Sequence, residues 1–272
     1  MTQIEVTMLG TTAGVPTQKR NHAALHILYR SENEFQMLFD CGEGTQRQML
    51  FADINFMRID NIFITHWHAD HYAGLLGLME TMNLEKRSRP LRIFAPEATK
   101  FVDLLLQLGY ANKYFDIVAV DAPHDGNEVT TLLDTEEFMV QSAPMNHRIP
   151  AVGFAFVEKD RMKIDKEKAK RLGLPEKGLI FKKLKEKGTA EFRGKTVRIE
   201  DVATIEKGKR VAYSGDTMIC ENMVTLAKRA NAKQLLLTHI SRRYQNEKEL
   251  AERIASHANV SIAKDLMKIV LK

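Results

Sequence analysis

Apolar and polar positions alternate through Ile4-Glu5-Val6-Thr7-Met8-Leu9 and stop at Gly10, which predicts a first strand. A loop over 11–21 follows, carrying Gly14, Pro16 and the tip Lys19-Arg20-Asn21. The pattern then predicts strands at Ala23–Tyr29 and Phe35–Asp40 and a helix over 45–52. Asp60–Thr65 reads as a strand and Tyr72–Met82 as an apolar helix, in which Gly74 and Gly77 point to close backbone packing. A strand at Leu91–Phe94 and a helix at Glu97–Leu108 come next, then strands at Phe115–Val120, Phe138–Ser142 and Gly153–Val157. Two buried-type strands, Arg210–Ser214 and Gln234–Thr238, flank a helix at Cys220–Arg229. A helix at Glu247–His257 and a short strand at Val260–Ile262 close the series. Strands first and strand–helix alternation afterwards, in both halves, predict a layered α/β sandwich rather than one doubly wound sheet.

The apolar run Ile62-Phe63-Ile64 leads straight into Thr65-His66-Trp67-His68-Ala69-Asp70-His71. Three imidazoles and a carboxylate within six residues are ligands for zinc or a related divalent ion. A turn leaving a strand lets such side chains converge on one point. Further donors belong at other strand ends, where loops reach the same edge. Three fit: His147 after Ala143-Pro144-Met145-Asn146, Asp216 in Ser214-Gly215-Asp216-Thr217, and His239 after the strand Gln234–Thr238. Each has a plainer role open to it, Asp216 as a helix N-cap and the histidines as loop residues. Together they extend the metal site. His22, His26, His124 and His257 lack this setting and are assigned structural or surface roles.

Composition changes the picture in one place. The net charge is +5, but residues 158–198 hold fifteen Lys/Arg against seven Asp/Glu, so the rest of the chain is net acidic. Such a segment suits a polyanion, most simply RNA or DNA, although a lysine-rich solvated face would look the same. The segment predicts helical pieces at Lys166–Leu172 and Leu179–Leu184, a break at Pro175/Gly178 and turns at Gly188 and Gly194. Its apolar residues are too few for a core of its own, so it is expected to be an excursion from a single domain spanning 1–272. No apolar run is long enough for a bilayer, and no secretory leader is visible at Met1–Glu5. Cys41 and Cys220 cannot form a disulfide framework, which fits a reducing cytoplasm, and each is expected as a small buried apolar residue.

These residues resemble the metallo-β-lactamase superfamily, whose His-x-His-x-Asp-His signature runs here from His66 to His71. Within it the chain is similar to the short-form tRNase Z family. Supporting motifs are Leu9-Gly10-Thr11-Thr12-Ala13-Gly14-Val15-Pro16, Asp40-Cys41-Gly42-Glu43-Gly44-Thr45-Gln46, Ala143–His147 with Pro150 and Gly153, Ser214–Thr217, and Leu237-Thr238-His239-Ile240-Ser241-x-Arg243-Tyr244. The resemblance implies a four-layer αβ/βα sandwich with a protruding basic arm at 158–198. It implies two zinc ions, with Mn²⁺ or Fe²⁺ suited to similar ligands. His66, His68 and His147 would hold one, Asp70, His71 and His239 the other, and Asp216 would bridge them. A metal-activated hydroxide would attack the scissile phosphorus in line, oriented by Asp70, the catalytic residue, which could also take its proton. The substrate would be precursor tRNA, trimmed of its 3′ trailer by a cytoplasmic homodimer. Lys19 and Arg20 would inspect the RNA 3′ end, and Lys182, Lys183 and Lys185 would lie on the arm that grips tRNA.

Three departures stand against the family pattern. Gln18 takes a position that is commonly lysine, and Gly178-Leu179 replaces a Gly-Pro pair near the arm tip. More seriously, the family carries His-Glu-Ala-Thr and His-Ser-Thr stretches between the Asp216 and His239 motifs, the latter providing a proton donor to the leaving oxygen. Met218–Gln234 contains no histidine, which reads as an internal deletion. Losing a general acid costs ~10²–10⁴-fold in rate, so weakened cleavage is expected. Two other functions fit the same residues: a small-molecule phosphodiesterase of the superfamily, which would not need the basic arm, and a catalytically impaired tRNA-binding variant.

Overall fold

The computed structural model describes residues 2–108, 114–216, 231–244, 252 and 259–272. By internal contacts the chain divides into two units: Met1–Leu132 with Gln141–Ala155 and Ala212–Lys272, and Leu133–Val140 with Phe156–Val211.

The first unit is organised by a seven-stranded sheet. Its strands are β1 (Gln3–Gly10), β3 (Ala24–Arg30), β4 (Glu34–Phe39), β5 (Ile59–Phe63), β6 (Leu91–Ala95), β7 (Ile117–Asp121) and the C-terminal β19 (Lys268–Leu271), in the order β19-β1-β3-β4-β5-β6-β7. The β19, β1, β3 and β4 neighbours pair antiparallel. From β4 to β7 the pairing is parallel. Parallel strands end at one edge, and loops leaving that edge hold the residues of interest. The two-residue β2 (Thr12–Ala13) lies apart from this sheet and pairs parallel with β17 (Ile240–Ser241). Helices α1 (Thr45–Phe51), α2 (Ala69–Tyr72), α3 (Leu75–Leu84) and α4 (Ala98–Leu108) connect the strands.

The core of this unit is aromatic along one line. Phe39, Phe63 and Phe94 stack on successive strands at centroid spacings of 4.8 and 4.7 Å. Phe154 meets Phe63 edge-on at 5.4 Å. Such pairs favour offset or edge-to-face contact because the ring quadrupole disfavours direct overlay. Phe154 belongs to β10 (Val152–Glu158), which lies in a four-stranded sheet of order β15-β10-β9-β8 with β15 (Arg210–Tyr213), β9 (Phe138–Pro144) and β8 (Thr130–Asp134). Sheets and helices together make the α/β sandwich that the alternation predicts.

The single helix predicted at Tyr72–Met82 is two helices, broken at Ala73–Gly74. Gly74 makes the close approach expected of it: a Cβ there would lie 2.3 Å from the Gly42 carbonyl oxygen. Gly77 faces open space instead. The strands predicted as buried around 210 and 235 are only half-buried, because β15 is a sheet edge and β16 (Leu235–Leu237) pairs only with β18 (Val260–Ile262) among the described residues. The helices predicted at Cys220–Arg229 and Glu247–His257, with Cys220 and His257, lie outside the described residues except for residue 252. No helix among the described residues is long and apolar enough to cross a membrane.

The second unit contains the basic segment, and it corrects one expectation. An antiparallel pair, β11 (Arg161–Ile164) with β14 (Ala203–Glu206), and a hairpin, β12 (Thr189–Phe192) with β13 (Lys195–Arg198), accompany helices α5 (Lys166–Arg171), α6 (Leu179–Lys187) and α7 (Ile199–Val202). Ala169, Leu174, Leu184, Ala190, Val197, Ile199 and Val202 are buried together, packed by Ile180, Phe181 and Phe192. The segment therefore has a core of its own. Its apolar residues are sparse per turn but are gathered from five elements and the loop at Leu174. Between β12 and β13, Arg193 and Gly194 both take positive φ, 51° and 74°, as the tightest hairpin turns require.

Candidate metal centre

The loop that leaves β5 is folded by contacts of its own backbone. His71 N–H donates to the His68 carbonyl at 2.9 Å, and the His71 carbonyl accepts from Cys41 N–H at 2.7 Å. Trp67 points away from the histidines: its indole donates to the Pro96 carbonyl at 2.6 Å and its ring stacks on Phe101 at 4.7 Å. The alternation of the motif thus sends Trp67 into the core and leaves the imidazoles on the other side.

The seven ligand-type residues named from the sequence fall into two groups. His66, His68, His147 and Asp216 offer donor atoms within 4.8 Å of one another, and so do Asp70, His71 and His239. In the first group, His66 Nε2 lies 3.0 Å from His68 Nδ1, and His147 Nε2 lies 3.2 Å from the same nitrogen. In the second, His71 Nε2 and His239 Nε2 are 3.3 Å apart. Asp216 Oδ1 sits 3.0 Å from His239 Nε2 and 3.3 Å from His71 Nε2, and its Oδ2 lies 3.9 Å from His66 Nε2. One carboxylate therefore faces both groups.

These spacings fit a metal. Tetrahedral zinc with Zn–N of ~2.0–2.1 Å sets neighbouring nitrogens ~3.3 Å apart. Imidazole nitrogens facing each other at this distance need a proton or a cation between their lone pairs. Asp216 Oδ1 is buried and has no hydrogen bond of acceptable geometry among the described residues. A divalent cation satisfies both conditions with the donor set present.

Electrostatics run the same way. Burial pulls His71 down, but Asp40 and Asp216 outweigh it and push the group up to about 10. His239 is likewise raised, burial being overcome by Asp216 and Asp70. Asp70 and Asp216 are held below the usual carboxylate range: burial opposes this, but His239 and His71 prevail, with Gly14 N–H adding to the effect at Asp70. His66, dominated by burial, drops to about 4, and His147 is lowered for the same reason. The centre favours positive charge among its carboxylates while keeping two imidazoles neutral.

Several participants carry no role in the sequence reading. Asp40, fully buried at the end of β4, accepts from Thr65 N–H at 2.7 Å, His71 Nδ1 at 2.7 Å and Tyr213 O–H at 2.9 Å. A carboxylate ending an apolar strand beside β5 was the available signal. Gly14 N–H donates to Asp70 Oδ2 at 2.8 Å, a backbone role that no side-chain pattern reveals.

The residues expected to touch RNA divide. Lys19 is exposed, but Arg20 is buried, its guanidinium donating to Thr11 Oγ1 at 2.6 Å and to the Ala263 carbonyl at 2.7 Å. Lys182 and Lys183 are exposed on α6, which also carries Lys185. Cys41 is buried and its thiol pushed up to about 12 by burial, as suits an inert packing residue.

Comparison with known proteins extends the resemblance over the chain. Residues 4–161 match the family described as Anti-Pycsar protein Apyc1. The chain is 40% identical over 268 residues to Ribonuclease Z of Pyrococcus abyssi, covering 97% of this chain and 82% of that protein. It is 34% identical over 307 positions to Ribonuclease Z of Methanosarcina acetivorans, covering 98% and 97%. Among solved structures, the short form of human tRNase Z superposes with a TM-score of 0.62 at 27% identity, covering 97% of this chain and 98% of that one.

Proposed function

The chain belongs to the ribonuclease Z family, metal-dependent endoribonucleases with the metallo-β-lactamase fold, and from that premise we propose how its residues divide the work of removing 3′ trailers from precursor tRNA. The observation that carries the proposal is the pair of donor groups facing a shared Asp216. His66, His68 and His147 would hold one Zn²⁺, Asp70, His71 and His239 a second, with Asp216 between them, and Mn²⁺ or Fe²⁺ suits similar ligands. Bound there, divalent metal supplies a water ionised near neutral pH and neutralises charge gathering on phosphorus.

The chain's own groups do the rest. Asp70 stays ionised, because His239, His71 and Gly14 hold it below the usual carboxylate range against its burial. It is therefore suited to orient an attacking water by accepting its hydrogen, and poorly suited to store a proton. Lys19, exposed on the loop, meets RNA phosphates, while Arg20 holds that loop in shape. The arm at 158–198, an insertion in one domain spanning 1–272, supplies sequence-independent affinity through Lys182, Lys183 and Lys185. A homodimer in the cytoplasm belongs to the same proposal, and sedimentation at assay concentration reads the dimer.

Cleavage is expected to be slow. Residues 217–238 contain no histidine to protonate the leaving oxygen. The match to the Methanosarcina relative extends over 307 positions against 272 residues here, which supports a segment missing from this chain. The test pairs metal analysis with two substrates. Purified protein should carry divalent metal and cut a trailer-bearing tRNA. Lys182→Glu with Lys183→Glu should depress that reaction and leave bis(p-nitrophenyl) phosphate hydrolysis unchanged. Equal loss on both substrates, or none on tRNA, favours a small-molecule phosphodiesterase. Tight tRNA binding without cleavage at any metal concentration favours the impaired binding variant.

A further inference from the structure

Thr65 stands where four stretches of the first unit meet. Its carbonyl accepts from Val152 N–H at 2.9 Å, and its N–H donates to Asp40 Oδ1 at 2.7 Å. Gly215, at φ 59°, packs so closely on it that a Cβ there would lie 2.7 Å from Thr65 Cβ and Cγ2. The Thr65 hydroxyl lies 3.0 Å from both oxygens of Asp40 and 3.0 Å from His66 Nδ1.

A threonine hydroxyl has one hydrogen to donate and two lone pairs to accept with. Asp40, as a carboxylate, only accepts, so the Thr65 hydrogen goes to it. The oxygen is then an acceptor toward His66, whose Nδ1 must carry the proton. His66 Nε2, the atom directed at His68 and Asp216, is left free to bind an ion. On the other side of Asp40, His71 Nδ1 donates directly to Oδ2 at 2.7 Å, which leaves Nε2 as the atom facing His239 and Asp216, where a bound ion would replace its proton. The Tyr213 hydroxyl, 2.9 Å away, holds the same oxygen from a third direction.

We infer that Asp40 is a single anchor for both donor groups, acting on His71 directly and on His66 through the Thr65 hydroxyl, so that Asp40 and Thr65 are positioning residues for metal binding. This rests on the metal-binding reading above. Outer partners that fix a histidine's tautomer are worth about 10–100-fold in metal affinity. The arrangement therefore assigns a distinct pattern to each substitution. Asp40→Asn keeps the left-handed backbone that asparagine tolerates (φ 57°) and removes the anchor, so both ions should bind more weakly. Thr65→Val removes the relay and a longer 3.4 Å contact of the same hydroxyl with His71 Nδ1, which keeps its 2.7 Å bond to Asp40, so the ion on His66 should weaken about 10–100-fold and the other stay within a few-fold. Thr65→Ser restores the hydroxyl and should restore that ion.

The experiment is calorimetric titration of Zn²⁺ into the metal-free full chain and these variants, with histidine-selective ¹⁵N NMR of the same samples before metal is added. His66 should appear as the Nδ1–H tautomer in the wild type and Thr65→Ser and lose that preference in Thr65→Val, a signal that mere loss of packing does not produce. Thr65→Val that binds both ions as the wild type does, or keeps the His66 tautomer, overturns the relay. Asp40→Asn that weakens one ion alone overturns the shared anchor. Wild-type protein that takes up no Zn²⁺ overturns the metal reading instead, and the NMR spectra still decide the relay.

Discussion

His26 shows what burial does to one residue away from the donor groups. It is 1% exposed on β3, directly across from Thr7, with Nε2 3.3 Å from Gln36 Oε1 and no partner for Nδ1 among the described residues. Burial lowers it from 6.5 to about 4, partly offset by Gln36. The unfolded chain therefore takes up this proton first as pH falls. Its stabilising contribution is whole above pH 6.5 and is lost between 6.5 and about 4. The loss is roughly 3 kcal/mol. Urea unfolding of the wild type and His26→Gln should show their stability difference falling by that amount from pH 8 to pH 4, and a flat difference refutes the assignment. Gly215→Ala tests a steric constraint in the same unit. The new Cβ meets Thr65 on a backbone at φ 59°, and a cost of about 1–3 kcal/mol is expected from strain alone, read as a lowered Tm in metal-free protein. His66, His68 and His71 were legible as ligand types because the motif is dense. Asp40 and Tyr213 were not, since single polar residues at the ends of apolar strands are common, and only the approach of Asp40 to His71 and of Tyr213 to Asp40 distinguishes them.

At the scale of elements, the chain's own periodicity located most strands within a residue or two, and helices less well where glycine intervenes. The predicted helix divides at Gly74, whose N–H donates to the Cys41 carbonyl at 2.9 Å rather than into the helix's own ladder, and whose missing Cβ leaves room for the Gly42 carbonyl. The sequence reading gave no strand at β8, β11–β14 or β19, and very short pieces escaped as well: β2 and β17 are two residues each and exist through pairing with each other. Their pairing is consequential, because it sets Gly14 beside Asp70 and follows directly on His239, whose own φ is 56°. The arm gives the element-scale prediction. Leu184 is fully buried on α6 among the arm's apolar residues. Leu184→Ala should cost about 2–5 kcal/mol within that unit. Hydrogen exchange should then accelerate over residues 164–203 while amides of β3–β6 keep their protection. Uniform acceleration through both regions would show that the arm has no separate cooperativity.

For the whole molecule, charge and metal set the expectations. Fifteen basic residues against seven acidic ones in 158–198 predict tRNA affinity that falls steeply with salt, with log K linear in log salt. Filter binding between 50 and 300 mM KCl measures the slope, and a flat response excludes the arm as the principal contact. Zn²⁺ that binds the folded chain alone should raise stability by about 2.7 kcal/mol at a hundredfold excess over Kd, and a chelator should reverse the rise in Tm. The sequence by itself determined the alternating strands, the dense motif after β5 and the basic segment, because each is written in neighbouring residues. Only the tertiary structure decided that Asp216 faces both donor groups, that Arg20 turns inward, that Asp40 reaches two histidines and that sparse apolar residues in the arm close over a core. Those outcomes depend on which distant backbone segments come within a few ångströms of each other, and local pattern carries no record of that.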